Sequence, residues 1–188
     1  MRDGPLRVDA QRTVDTILET ARVLLRDDPR TPLADIAERA QVHRTTLGRY
    51  FPTREALVDE LLRASLEAIE RRMARTGTDT GDPVEALERA TLAWIQESAH
   101  WRAGRYAPLG AVAERGAAPA LIKARITALI ERGQRDGAFR VDLPSETLYF
   151  AWGSLTMTFN ALAPDAAREK VVESILTLLR APTAPRSG

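Results

Sequence analysis

The stretch LADIAERAQVHRTTLGRYFPTREAL, Leu33 to Leu57, decides how this chain reads. Leu33, Ile36, Ala37 and Ala40 recur on one helical face, and after Gln41-Val42-His43 a second short run sets Leu47 and Phe51 at i and i+4. Two short helices joined by three or four residues predict a helix-turn-helix. Ala37 and Ala40 are small where two helices must cross closely, and Val42 is the one apolar residue of the turn. Pro52 ends the second helix, and Thr53 can cap the next. From Arg39 to Arg54 there are four arginines, plus His43, and no acid, which makes a local island of +4. With Leu47 and Phe51 anchored beneath, Arg44, Thr45, Thr46, Gly48 and Arg49 are left to face outward. A DNA major groove admits one α-helix, and its base edges are read by Arg at guanine and by Thr more generally. The competing reading is a solvated charged face.

Outward from this segment the helical period continues. Val14, Ile17, Leu18, Ala21, Leu24 and Leu25 form one stripe before a stop at Asp27-Asp28-Pro29, and Thr31 is expected to cap a helix with Pro32 at its first position. Residues 1–9 read as a flexible arm. A fourth helix is predicted from Thr53 through Leu57, Leu61, Leu62, Leu66 and Ile69 to about Arg75, then a strong break at TGTDTGD (76–82). Asp82-Pro83-Val84-Glu85 restarts a helix with an N-cap, a first-turn proline and a capping-box glutamate. That helix, to about Ala103, is apolar nearly all round and should be central. Further helices are expected at roughly Tyr106–Glu114, from Pro119 to a left-handed cap at Gly137, from Asp142-Leu143-Pro144 to Leu162, and from Asp165 to Arg180. No alternating strand pattern is present. The prediction is all-α, about nine helices, divided into residues 1–53 and 54–188.

Composition narrows the function classes. The chain has 188 residues, 44% hydrophobic and 28% charged, within the range of soluble globular proteins. Lys+Arg 27 against Asp+Glu 26 leaves a net charge of only +1, so a nucleic-acid site has to be a local patch. The absence of cysteine excludes disulfides, thiolate zinc sites and a Cys nucleophile. His43 and His100 are the only histidines, which excludes a His-rich metal site. No phosphate loop, dinucleotide fingerprint or nucleophile elbow occurs, Gly153-Ser154 standing isolated within a helix. No enzyme activity, cofactor or metal is predicted. Met1 is followed by no apolar run of secretory type, so a cytoplasmic location is expected. Thr147 to Pro164 is 18 residues without charge, near the length of a membrane span, but its threonines, Ser154, Asn160 and Gly153 favour a buried helix. Only Lys123 and Lys170 of the basic residues are lysine, which fits a GC-rich coding genome.

The run from Ala40 to Leu57, AQVHRTTLGRYFPTREAL, resembles the signature of the tetracycline-repressor (TetR) family of bacterial regulators, roughly A-G-V-S-x-x-T-L-Y-x-H/Y-F-x-S/N-K-E-x-L. Leu33-Ala34-Asp35-Ile36-Ala37 matches the first motif helix. The likeness covers about residues 10–60; beyond that it is architectural, with a Gly-Gln-x-x-Gly-x-Phe-Arg-x-Asp-Leu-Pro segment (Gly133 to Pro144) often seen in the family. Three departures stand out: Gly48 where the family has Tyr, Gln41 for the turn Gly, and His43 for the Ser cap. The resemblance implies an N-terminal helix-turn-helix DNA-binding domain and a larger effector-binding and dimerisation domain. It implies a transcriptional regulator, read as a repressor, that binds a palindromic operator as a homodimer and is released by a small molecule. On it, Arg44 and Thr45 are assigned to base edges, and Thr46, Arg49, Tyr50 and Arg54 to phosphates, with Thr31 at the start of the preceding helix. Tyr50 could instead pack under helix 4, and Thr31 could be a helix cap alone.

For the dimer, Leu148, Trp152, Leu155, Phe159 and Leu162 follow a 4-3-4-3 spacing beside a small ridge of Ala151, Ser154 and Thr158. The last helix adds Val172, Ile175, Leu176 and Leu179. For the effector, Trp94, Glu97, His100 and Trp101 lie on one helix and Trp152, Thr156 and Asn160 on another, aromatics with a few polar groups. The partner they suggest is a small hydrophobic or aromatic molecule. The alternative for the tryptophans is plain core. The alternatives for the whole chain are a helical ligand-binding or interaction protein without a DNA role, and an enzyme without a recognisable motif.

Overall fold

The computed structural model describes residues 4–98, 117–162 and 168–181. Among these residues the chain forms eight helices: α1 Gly4–Asp27, α2 Leu33–Arg39, α3 Arg44–Tyr50, α4 Arg54–Met73, α5 Pro83–Ser98, α6 Ala118–Arg135, α7 Ser145–Leu162 and α8 Arg168–Leu179. The fold is all-α, as the periodicity predicts; the one β feature described is a single bridge between Phe139 and Arg180. The short helix expected near Tyr106–Glu114 lies outside the described residues. At the start, α1 begins at Gly4 where an arm was expected. Pro5 sits in its first turn, where a missing amide hydrogen leaves no bond unmade.

Two compact units are present, and the division falls inside α4, between Ser65 and Leu66. The sequence reading divided the chain at Thr53. The difference has a packing cause: Leu57 and Leu61, from the first turns of α4, belong to the core of the first unit. That core gathers Ile17, Leu18, Ala21 and Leu25 of α1, Ile36 and Ala37 of α2, and Leu47 and Phe51 at α3.

In the second unit α5 packs on α6, α7 and α8, the central place its all-round apolarity predicts. Its start is set by Asp82, whose carboxylate accepts from the backbone N–H groups of Val84 (2.9 Å) and Glu85 (3.0 Å). The TGTDTGD break is an ordered loop held by three arginines. Arg89 donates to Thr76 O at 2.9 Å and reaches Gly77 O at 3.5 Å; Arg132 donates to Thr78 O at 3.2 Å and to Gly81 O. Arg125 pairs with Glu70 at 3.1 Å and reaches the Thr78 hydroxyl at 3.3 Å.

The Gly133–Pro144 segment closes this unit. The N–H of Gly137, at φ 72°, bonds to Gln134 O, and the N–H of Ala138 to Gly133 O, a Schellman end for α6. A Cβ on Gly133 would lie 2.1 Å from the Phe139 ring, so the buried Phe139 lies directly on that glycine. The Gln134 side-chain amide donates to Arg140 O (2.8 Å) and Leu143 O (2.9 Å). Arg140 N–H bonds to Leu179 O at 3.0 Å and Ala181 N–H to Ala138 O at 3.1 Å, which ties down the end of α8. The Arg140 guanidinium, hydrogen-bonded to Asp142, holds that exposed carboxyl below the usual carboxylate range. Among the described residues no helix is long and apolar enough to cross a membrane.

Candidate nucleic-acid interface

The turn between α2 and α3 is built from four residues with separate tasks. Ala40 ends α2 in helical geometry, and Gln41 then turns left-handed at φ 57°. The Gln41 N–H bonds to Glu38 O at 3.0 Å and the Val42 N–H to Ala37 O at 3.0 Å. This is the Schellman pattern found at Gly137, made here with a side chain that disfavours it. The geometry usual for glycine is thus kept, at a conformational cost of about 1 kcal/mol. Gln41→Gly is therefore expected to stabilise the chain by about 1 kcal/mol, less whatever the freer unfolded chain gives back. Chemical denaturation of the two proteins measures it. Val42 packs against the first unit's core and seats the turn.

His43 is the N-cap of α3, so it fills the cap position where the family has Ser. Its Nδ1 accepts from the Thr45 backbone N–H at 3.3 Å and lies 2.7 Å from Thr45 Oγ1. Leu47 is buried, and Val42, Thr46 and Tyr50 are half-buried. Arg44, Thr45, Gly48 and Arg49 are exposed along the outer face. The amphipathic period thus delivers the predicted surface apart from Thr46, which is half-buried where an outward position was expected. Space is open around Gly48: a Cβ there would meet nothing within 4 Å. Gly48→Ala is accordingly expected to raise stability by roughly 1 kcal/mol, the helix-propensity difference, as read by thermal unfolding.

The seven residues assigned to DNA divide into two sets. Arg44 and Thr45 project from the first turn of α3. Arg49 lies over the Tyr50 ring, its Cζ 4.8 Å from the centroid, and donates to the Tyr50 hydroxyl at 2.9 Å. Tyr50 also packs against the core, so it serves both surfaces. Arg54 and Thr31 form a different structure. Arg54 donates to Thr31 O at 2.6 Å and to Pro29 O, stapling the start of α4 to the α1–α2 turn. Thr31 is buried, and its hydroxyl donates back to Asp28 O at 2.8 Å. It does not cap α2; the N-cap is Pro32, with no side-chain bond. The hydroxyl instead closes the turn after α1. Thr53 caps α4 as read, accepting from Ala56 N–H at 3.1 Å.

Two assignments escaped the sequence. The Arg54 staple joins residues 23 and 25 apart, a separation that no local pattern reports. His43 as a cap was legible in principle, since a neutral imidazole carries one acceptor nitrogen at the reach an N-cap needs.

The effector candidates are placed in part. Trp94 and Trp152 stack edge-to-face at 5.7 Å, both buried. The Trp152 indole N–H donates to Thr91 Oγ1 at 2.9 Å, and the Thr91 hydroxyl donates to Leu87 O at 2.7 Å. Buried Thr156 donates to Trp152 O at 2.7 Å. This is the packing of a core with its polar groups satisfied by one another. Glu97 pairs with Arg72 at 3.0 Å. Trp101, His100 and the Asn160 side chain lie outside what the structure describes.

Comparison with known proteins bears on this geometry. Residues 17–61 match the model of the "Bacterial regulatory proteins, tetR family". Over 86 residues the chain is 38% identical to the HTH-type transcriptional repressor LfrR of Mycolicibacterium smegmatis, an alignment spanning 44% of this chain and 43% of that protein. The chain thus matches less than half the length of this relative. The crystal structure of the TetR transcriptional regulator SCO0520 from Streptomyces coelicolor superposes with TM-score 0.60 at 28% identity, covering 91% of this chain and 99% of that one. That of LfrR from Mycobacterium smegmatis in complex with proflavine gives 0.69 at 24%, covering 93% and 99%. The helix-turn-helix at 33–50, the domain match around it and the shared all-helical fold agree: residues 17–61 carry the DNA-binding domain of the tetR family of bacterial regulatory proteins, and the chain as a whole is similar in fold to regulators of that family.

Proposed function

We propose that the chain is a transcriptional regulator, acting as a repressor, that binds a palindromic operator as a homodimer through α3 and is released by a small apolar or aromatic effector. The observation that carries this is the outer face of α3: Arg44, Thr45 and Arg49 exposed on a helix whose entry turn and underside are fixed by the core. A fixed helix loses little freedom on docking, and the local positive charge draws it to phosphate. Arg44 and Thr45 read base edges; Thr46, Arg49 and Tyr50 hold phosphate. Arg54 has two bonds within the chain and further donors to offer, while Thr31 acts through it as the carbonyl that holds it. The effector belongs to the second unit, where LfrR, whose structure contains proflavine, lends support to an aromatic ligand.

Gel-shift with the DNA upstream of its own gene tests the reading: a salt-sensitive, sequence-selective shift is expected, and binding no tighter than to random DNA would overturn it. Within that assay, Arg44→Ala should cost about 1–3 kcal/mol on the selected site and little on random DNA. Equal losses on both would make Arg44 a phosphate contact.

A further inference from the structure

The contacts at the start of α3 fix which hydrogen sits where. Two groups of Thr45 meet the same atom, His43 Nδ1: the backbone N–H at 3.3 Å and the hydroxyl Oγ1 at 2.7 Å. A backbone N–H can only donate, so Nδ1 carries no hydrogen and the imidazole proton is on Nε2. A bare Nδ1 can only accept, so the hydroxyl must donate to it as well. The Thr45 hydrogen is therefore spent inside the protein. What Oγ1 offers outward is lone pairs alone.

An unconstrained threonine hydroxyl is ambivalent toward bases, since it can turn to donate or accept. Here that freedom is removed. In the major groove the acceptors are N7 and O6 of guanine, N7 of adenine and O4 of thymine, and the donors are the exocyclic amino groups of adenine and cytosine. An oxygen that can only accept is matched by an amino group and repelled by the others. We propose that His43 is a specificity-positioning residue: by holding the Thr45 hydroxyl hydrogen it makes Thr45 an acceptor-only reader of the exocyclic amino group of adenine or cytosine. This rests on the DNA-reading role of α3 proposed above. The residue at the cap of the helix thus selects a base that it does not touch.

The test uses the full chain and base analogues. Selection from a random duplex library with the unaltered protein gives the site, and the same selection with Thr45→Val identifies the base pair that Thr45 reads. In that pair the amino group is then removed, by purine for adenine or by the 4-deamino pyrimidine for cytosine. In a separate duplex the purine N7 is replaced by carbon. The unaltered protein is expected to lose affinity on the order of fivefold when the amino group is removed, and to tolerate the N7 replacement. Thr45→Val should be indifferent to both. His43→Gly removes the acceptor but keeps a good N-cap, and should lose most of the amino discrimination while binding at other positions is unchanged. His43→Asn, whose amide oxygen can accept both hydrogens, should restore it. A site selected by the unaltered protein that is insensitive to the amino group overturns the proposal. So does a His43→Gly protein that weakens on all sequences alike with discrimination intact, because that is a cap and nothing more. If the unaltered protein selects no site, the DNA-reading role itself has failed, and this inference with it.

Discussion

Gly133→Ala is expected to destabilise the second unit by about 1–3 kcal/mol, the usual cost of forcing atoms into a filled core. The new Cβ would sit 2.1, 2.4 and 3.0 Å from Phe139 Cδ2, Cε2 and Cγ, and Phe139 is fully buried. The ring cannot step aside, because its backbone is held on both sides: Phe139 N–H bonds to Gly133 O at 3.0 Å, and Arg140 N–H to Leu179 O. Phe139→Ala, which vacates the same space, should cost about 3–5 kcal/mol by leaving a cavity. The two sites share one volume, so their effects should not add. Gly133→Ala with Phe139→Ala is expected to be more stable than the sum of the singles, by roughly 0.5–3 kcal/mol. Urea unfolding of the four proteins measures the cycle, and strict additivity would refute the close packing.

That contact shows where the sequence stops informing. The Gly133–Pro144 segment could be recognised as a pattern, and Gly137 as the left-handed end of a helix, because its φ of 72° is a local demand. The reason for Gly133 is a ring six residues on and a helix end more than forty residues away, and neither leaves a periodic trace. The same line divides the candidate interface. The buried face of α3 follows from Leu47 and Phe51, so the outward positions 44, 45, 48 and 49 were legible, and half-buried Thr46 was not. Thr31 reads from its neighbours as a cap for α2, but its hydroxyl donates to Asp28 O and the cap position falls to Pro32. Trp152 could be placed on a helix face, yet its partner Thr91 lies 61 residues back on α5, and only the packed fold brings it to the indole.

Ala151→Arg is expected to abolish the proposed dimer and with it operator binding. Thr147, Ala151 and Thr158 are exposed on α7, and Ser154 and Leu155 between them are half-buried, so the small ridge faces outward without a charge. Val172, Ile175, Leu176 and Leu179 of α8, by contrast, are buried within the protomer, together with Leu148 and Trp152 of α7. They are core, and charging Ile175 would unfold the chain, which makes it useless as a test of association. An arginine at the exposed Ala151 removes no core contact. Pairing two recognition helices on one operator gains affinity by about 100- to 10,000-fold through effective concentration alone, and a monomer forfeits that gain. Light scattering should therefore report a monomer with native helix content, and gel-shift a loss of at least about 100-fold. A variant that stays dimeric, or a monomer that keeps full affinity, would place the interface elsewhere or remove the need for one.

The loop at 76–82 is gripped mainly by its carbonyl oxygens. Arg89 and Arg132 bond to Thr76, Gly77, Thr78 and Gly81 through backbone atoms that every amino acid possesses. Apart from the left-handed Gly77 and Gly81 and the buried Thr78, the identities of its residues matter little to that grip. Random change at Asp79 or Thr80, both exposed, leaves the clamp intact, whereas a single change at Arg132 releases two carbonyls at once. Those two glycines, Thr78 and Asp82, which caps α5, apart, the loop is thus free to vary in sequence while its path is set by the helices beside it.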